Sequence, residues 1–334
     1  MTCDDPIVAA VVEDHRRILV EALVADAEVA RASRCLALGG GYGRGEGGVQ
    51  IHRDGRRTPH NDYDLVLVHQ ADAIAVVSEW CLRISQRFTA EFGLHVDVTP
   101  LAEETLTRLP QSLTWYEFGQ GHQVWWGDGA VLSPLAVRRL ANVDAWEWGR
   151  LLMNRSAGVV FARWSRQGCP VSLGADEDPA TFATRQIEKA WLALGDVWLA
   201  DHGLYHDRLA VRQTTWQSLT AVPTWAPRWE EAAAYKLRPR DLSLAEIDAE
   251  LAALSPVLAE ALQIHTCADT QPLRDLARTL LRVPPARWFA RRPWAPLRER
   301  VQAALVAELV GRQDERRRLI GDPHHVLNLW KTVA

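Results

Sequence analysis

Two aspartates two residues apart, Asp62 and Asp64, lead into the apolar run Leu65-Val66-Leu67-Val68. On a β-strand successive side chains alternate, so both carboxylates project from one face. Adjacent like charges repel, and the arrangement becomes useful when a divalent cation sits between them. A third carboxylate, Asp97, stands between Val96 and Val98. With the valines toward a core, Asp97 faces the other way, and if the two strands are neighbours three carboxylates converge. Such a layout suits two Mg²⁺ ions, with Mn²⁺ as a substitute, clamping a phosphoryl centre between attacking and leaving oxygens. Hard oxygen donors without a Cys/His set suit magnesium better than zinc. Upstream lies Gly39-Gly40-Gly41-Tyr42-Gly43-Arg44-Gly45-Glu46-Gly47-Gly48. Its glycines let backbone N–H groups approach a polyphosphate. Arg44 adds a charge able to contact a phosphate oxygen in bidentate fashion.

These residues need elements to position them. Residues 7–32 read as one amphipathic helix and Cys35–Leu38 as a short strand before the glycines. Asp54-Gly55 between Val49–His52 and Arg56–Thr58 is a type I′ hairpin signal. The hairpin carries His52, Arg53, Arg56, Arg57 and His60, either as a solvated tip or as a substrate-binding flap. Tyr63–Val68 is a strand buried on both faces, residues 72–92 a helix ended by Gly93, and His95–Thr99 a strand stopped by Pro100. Helices near 101–108 and 111–118 and a last strand at His122–Trp126 complete this part. After Pro134 the periodicity is helical: near 144–166, 180–202, 208–220, 228–237, 243–264, 270–282 and 296–319. The fold class expected is therefore α+β: a small mixed β-sheet flanked by helices in residues 1–131, then an all-α domain in 132–334.

Length and composition agree with two domains, since 334 residues exceed a single typical core. The formal net charge is −4, which disfavours a duplex nucleic-acid partner. It divides into −8 over residues 1–130 and +4 over the rest, so an acidic front could hold cations while a basic back faces phosphates; two ordinary solvated surfaces would look the same. Five cysteines without a CxxC pair fit reduced thiols in the cytoplasm. No signal-peptide layout and no apolar run of membrane-spanning length appears. Of 15 tryptophans, 11 fall after residue 130, many at helical core spacing, as in Ile187, Trp191, Leu194 and Trp198; core packing is favoured over base stacking.

The series Gly40-Gly41-Tyr42-Gly43-Arg44-Gly45, Asp62-Tyr63-Asp64 and Asp97 resembles the signature of the DNA polymerase β-like nucleotidyltransferase superfamily, closest to its minimal and aminoglycoside-type members. The resemblance covers about residues 30–130. It implies that Asp62 and Asp64 bind both metals, and that Asp97 shares one metal and helps deprotonate an acceptor hydroxyl. It also implies that Gly40, Gly41, Tyr42 and Arg44 serve the nucleotide phosphates. A helical-domain lysine often reaches the triphosphate in this superfamily, which points to Lys189, with Lys236 as backup; a solvated lysine is the alternative for either. Asn154-Arg155 would serve the acceptor, while Arg316-Arg317-Arg318 reads as a solvated face. Two departures stand out: Gly41 replaces a frequent serine, and the hairpin lengthens the gap to Asp62. The implied activity is Mg²⁺-dependent transfer of a nucleoside monophosphate, AMP from ATP, to an acceptor hydroxyl with release of pyrophosphate. A small-molecule acceptor is expected ahead of a protein hydroxyl. A catalytically idle nucleotide-binding regulatory module is the alternative, and a nucleotide second-messenger synthase a third.

Overall fold

The computed structural model describes residues 3–168, 178–265 and 297–311. The helix expected near 270–282, the end of that over 296–319, Arg316-Arg317-Arg318, Cys169 and Cys267 lie outside them. The fold is mixed α/β, with one four-stranded sheet, a two-stranded hairpin and many helices. The chain divides into two compact units. The first joins Met1–Asp144 with His206–Ala221 and Ala233–Arg240; the second joins Ala145–Tyr205, Val222–Ala232 and Asp241–Ala334.

The first unit begins with α1 (Pro6–Ala25), whose N-cap Asp5 accepts from the Ile7 and Val8 amides. The expected single helix over 7–32 is two, because the Asp26 side chain captures the Val29 amide and starts α2 (Ala27–Ala32) anew. Strand β1 (Ser33–Leu38) leads into the one-turn helix α3 (Gly40–Gly43), then the hairpin β2 (Val49–Ile51) and β3 (Arg57–Pro59). The hairpin forms, but its turn is not the two-residue type expected. The Gly55 amide donates to the His52 carbonyl and the His52 amide to that of Arg56. Gly55, at φ +83°, thus ends a three-residue connection.

Strand β4 (Tyr63–His69), α4 (Ile74–Phe92) and β5 (Val96–Ala102) form a crossover unit, as a parallel pair requires. Gly93 caps α4 at φ 68°, a left-handed conformation that glycine adopts without a Cβ penalty. Strand β5 runs through Pro100, where a stop was expected. It lies at the sheet edge, the setting in which a strand tolerates proline's missing N–H. The chain then makes a 3-10 turn, Glu103–Arg108, before α5 (Leu113–Gln120) and β6 (Gln123–Gly127).

Sheet order is β5-β4-β1-β6, with β1 antiparallel to both neighbours. Alternation divides the core between two faces. Leu36, Leu38, Leu65, Leu67, Val96 and Val98 pack with Leu19, Leu23, Trp80 and Phe88 of the helices on one side. Cys35, Ala37, Val66, Val68 and Leu101 pack on the other with Phe118, Leu132 and Leu135. The last two explain why the first unit runs past residue 131. Leu135, on α6 (Ser133–Ala136), covers the sheet, and the Asp144 amide donates to the Gln111 carbonyl. The chain does not cross once into a separate helical domain; two later segments belong to the first unit.

The second unit is built on α7 (Trp146–Arg166), α8 (Pro179–Asp201), α11 (Leu244–Ile264) and α12 (Leu297–Leu309). Helix α9 (Leu209–Gln217) falls in the first unit, and α10 (Ala226–Leu237) passes from the second to the first. Ile187, Trp191 and Leu194 are buried in the second core. Gly195 lets the Trp229 ring touch α8: a Cβ there would lie 1.9 Å from Trp229 Cδ1. Trp191 is core, as its spacing predicts, whereas Trp198 of the same stripe is half-buried and stacks on His202. No described helix is long and apolar enough to cross a membrane.

Candidate active site

The glycine segment is tied to β4 at its first residue, where the Gly39 amide donates to the Asp64 carbonyl at 2.8 Å. Gly40 follows at φ +61°. A Cβ on Gly40 would lie 2.3 Å from Asp64 Oδ2, so the absent side chain is what admits this carboxylate to the turn. Gly41 is less constrained. A Cβ there would sit 3.3 Å from the Glu46 carbonyl oxygen, and the Glu46 amide donates to the Gly41 carbonyl at 2.8 Å.

Asp64 and Asp97 are direct partners in the parallel β4–β5 register. Both are exposed, while Tyr63, Val96 and Val98 on the opposite face are buried. Two carboxylates therefore stand side by side at the end of the sheet face whose remainder is covered by Phe118 and Leu135. Asp97 Oδ2 also accepts from Thr99 Oγ1 at 3.4 Å. Asp62 is half buried and lies just before β4, not on it. Strand pairing brings Asp64 and Asp97 together and leaves Asp62 outside that ladder. Among the described residues, no three His, Cys, Asp or Glu side chains are gathered as a metal-binding group. Of the three carboxylates expected to converge, strand register joins Asp64 and Asp97.

The other sequence candidates take different places. Tyr42 is fully buried. Its hydroxyl donates to the Gly48 carbonyl (2.6 Å) and accepts from the His60 amide (3.0 Å), closing the base of the hairpin. Burial pushes its phenol far up, so it stays neutral. The Tyr42 hydroxyl is thus committed to the framework of the hairpin. Arg44 is also buried; its Nη1 pairs with Glu117 at 3.1 Å and its Nε lies 3.6 Å from Glu46. Its guanidinium is engaged within the protein, in place of the free phosphate contact expected. Of the hairpin residues, Arg57 pairs with Asp5 at 2.8 Å and His60 meets the Tyr235 ring edge-on. Arg53 and Arg56 remain exposed near the tip.

The two candidate lysines separate. Lys189, on α8, belongs to the second unit, as does Asn154-Arg155 on α7. Lys236, at the end of α10, belongs to the first, and its Nζ lies 3.3 Å from Glu46 Oε2. Burial pushes the Lys236 ammonium pKa down, and the nearby Arg44 charge adds to the effect.

Sequence reasoning missed four residues that shape this region. Glu46 joins Arg44, Lys236 and the Leu209 amide. Glu117 on α5 balances Arg44. Asn61 Oδ1 accepts from the Gly48 amide at 2.5 Å and holds the hairpin's two ends together. Phe118 packs under Gly39, where a Cβ would lie 2.5 Å from its ring. A polar residue directly before the acidic pair was the only local signal for Asn61. The others act through contacts distant in sequence.

Comparison with known proteins gave no matching family model and no matching curated protein.

Proposed function

We propose that the protein is a Mg²⁺-dependent nucleotidyltransferase that moves AMP from ATP to an acceptor hydroxyl of a small molecule and releases pyrophosphate. The observation that carries this reading is the in-register pair Asp64 and Asp97, with Asp64 Oδ2 occupying the space that Gly40 leaves open. Their donor chemistry fits magnesium, which takes one or two carboxylates and completes its shell with water and substrate phosphates. Asp64 and Asp97 would hold the ion, with Asp62, two residues before Asp64, as a further candidate. When bound, Mg²⁺ neutralises charge on the phosphate oxygens.

The chain's own residues do the remaining work. The first amides of α3 have no intrahelical acceptor and belong to the turn that Asp64 touches; they donate to phosphate oxygens. Lys236 and Arg44 supply positive charge beside that turn. Asp97 accepts the acceptor's hydroxyl proton at its carboxylate, and the oxygen attacks the α-phosphate in line. Fixed donors and orientation provide most of the rate enhancement in such a transfer. The buried free thiols Cys3, Cys35 and Cys81 suit a reducing cytoplasm.

One observation favours a second reading, a nucleotide-binding module without turnover: no three acids are gathered as a metal group among the described residues. Calorimetry with ATP and Mg²⁺, followed by a pyrophosphate-release assay across acceptor hydroxyls, separates the two. The transferase reading expects binding and release, with Asp64→Asn and Asp97→Asn each lowering release at least about 100-fold. Binding without release supports the module, and full activity in Asp64→Asn sinks the transferase.

A further inference from the structure

The glycine turn is clamped by segments far away in sequence, and one carboxylate joins them. Glu46 is mostly buried, at 11% side-chain exposure. Its Oε1 accepts from the Leu209 amide at 2.5 Å, the first residue of α9. Its Oε2 lies 3.3 Å from Lys236 Nζ and 3.6 Å from Arg44 Nε. The backbone repeats the connection: Arg208 Nη1 donates to the Arg44 carbonyl at 2.8 Å, and Gly48 leaves room for the Lys236 carbonyl, which a Cβ would meet at 2.5 Å. The charged groups bearing on Lys236 are Arg44, Glu46, Arg212 and Glu117. Arg44 pairs with both carboxylates and Lys236 with Glu46, while the Arg212 charge bears on Lys236 as well, in a place where burial disfavours charge.

We propose that Glu46 is a positioning residue: its carboxylate fixes the Lys236 ammonium and the Arg44 guanidinium at the glycine turn and keeps Lys236 charged for an anionic phosphate chain. The identity of that anion rests on the nucleotidyltransferase reading; the coupling between Glu46 and Lys236 does not. Burial, Arg44 and Arg212 all push the Lys236 proton off, and Glu46 is the larger of the two carboxylates opposing them. Removing its charge therefore lowers the pH at which Lys236 becomes neutral and falls out of phosphate binding.

The chain has only three lysines, Lys189, Lys236 and Lys331, so the side-chain ¹³Cε NMR signals can be assigned by single substitutions. The test compares the full chain with Glu46→Gln, which keeps an acceptor for the Leu209 amide. Lys236 is expected to titrate lower in Glu46→Gln, with Lys189 as the internal reference. The pH at which inorganic tripolyphosphate binding is lost should fall by the same amount, and Lys236→Arg in the Glu46→Gln background should restore binding at the higher pH. If Glu46→Gln does not fold, the coupling is read in Glu46→Asp, whose shortened carboxylate should likewise lower the Lys236 midpoint, with the Lys189 signal as internal reference. An unmoved Lys236 titration overturns the proposal. So does a shifted titration with an unshifted tripolyphosphate profile. Absence of tripolyphosphate binding by the unsubstituted protein overturns the nucleotide reading and the anion-facing part of the proposal together, and the NMR titration then still judges the pair.

Discussion

Asp64 and Tyr42 lie in the same short stretch of site sequence, and their surroundings assign them opposite duties. Asp64 is exposed, pairs in register with Asp97 and occupies the space beside Gly40. Tyr42 is buried, and its hydroxyl is committed to Gly48 and His60. Tyr42→Phe should therefore act on stability. It removes one hydrogen bond from the Gly48 carbonyl and one from the His60 amide, which keep their mutual bond at 3.1 Å, costing about 0.5–1.5 kcal/mol per bond. The affinity of the folded protein for Mg-ATP should stay within about twofold, since the ring volume is kept. Chemical denaturation and calorimetry on the same sample check this; a large affinity loss at unchanged stability would return Tyr42 to the nucleotide. The motif residues were legible from spacing alone, but which of them face solvent was not. Burial depends on what packs above, here a hairpin closing over Tyr42.

At the scale of elements, α1 and the hairpin are joined through Asp5. One oxygen caps α1; the other meets Arg57 of β3 at 2.8 Å. Burial alone would raise the Asp5 pKa, but the Val8 amide and the Arg57 guanidinium outweigh it, with the Ile7 amide adding, and the pKa lies below its ordinary 3.8. A carboxylate depressed in the folded state contributes stability that is present above its unfolded pKa. That contribution is lost as pH falls through the folded value. Asp5→Asn keeps a capping oxygen but removes the charge. The melting temperature of the unsubstituted protein should therefore fall more steeply below about pH 4 than that of Asp5→Asn; parallel curves would show that Asp5 is not a source of acid lability. Most helices and strands were readable because their periodicity and their Gly and Pro punctuation are local. The misread boundaries, at Asp26 and Pro100, each turned on a partner: a side chain competing for a backbone amide, and an edge that spares proline's missing donor.

Across the whole molecule, the first unit is discontinuous in sequence. Residues 206–221 and 233–240 return to it and bring Leu209 and Lys236 to Glu46. A fragment of residues 1–144 therefore lacks the Lys236 ammonium and the Leu209 amide that meet the mostly buried Glu46 carboxylate, which keeps only Arg44 of its three partners. Losing a hydrogen bond to such a carboxylate costs about 1.5–3 kcal/mol, a sizeable share of a domain's stability. The fragment should be cleaved by a nonspecific protease far faster than the same residues in the full chain, and should show a broadened thermal transition. A fragment as protease-resistant as the full chain would mean that the returning segments add nothing to its fold.

From its sequence alone, this protein's elements, its mixed α/β class and the grouping of a glycine turn with an acidic strand were determined, because all three are written in neighbouring residues. The tertiary structure decided the rest. It paired Asp64 with Asp97 and left Asp62 off the strand, turned Tyr42 and Arg44 inward, and placed Lys236 rather than Lys189 in the unit that holds the acids. The physical reason is common to these outcomes: strand register, burial and ion pairing depend on contacts between residues tens to nearly two hundred positions apart, on which local spacing places no constraint.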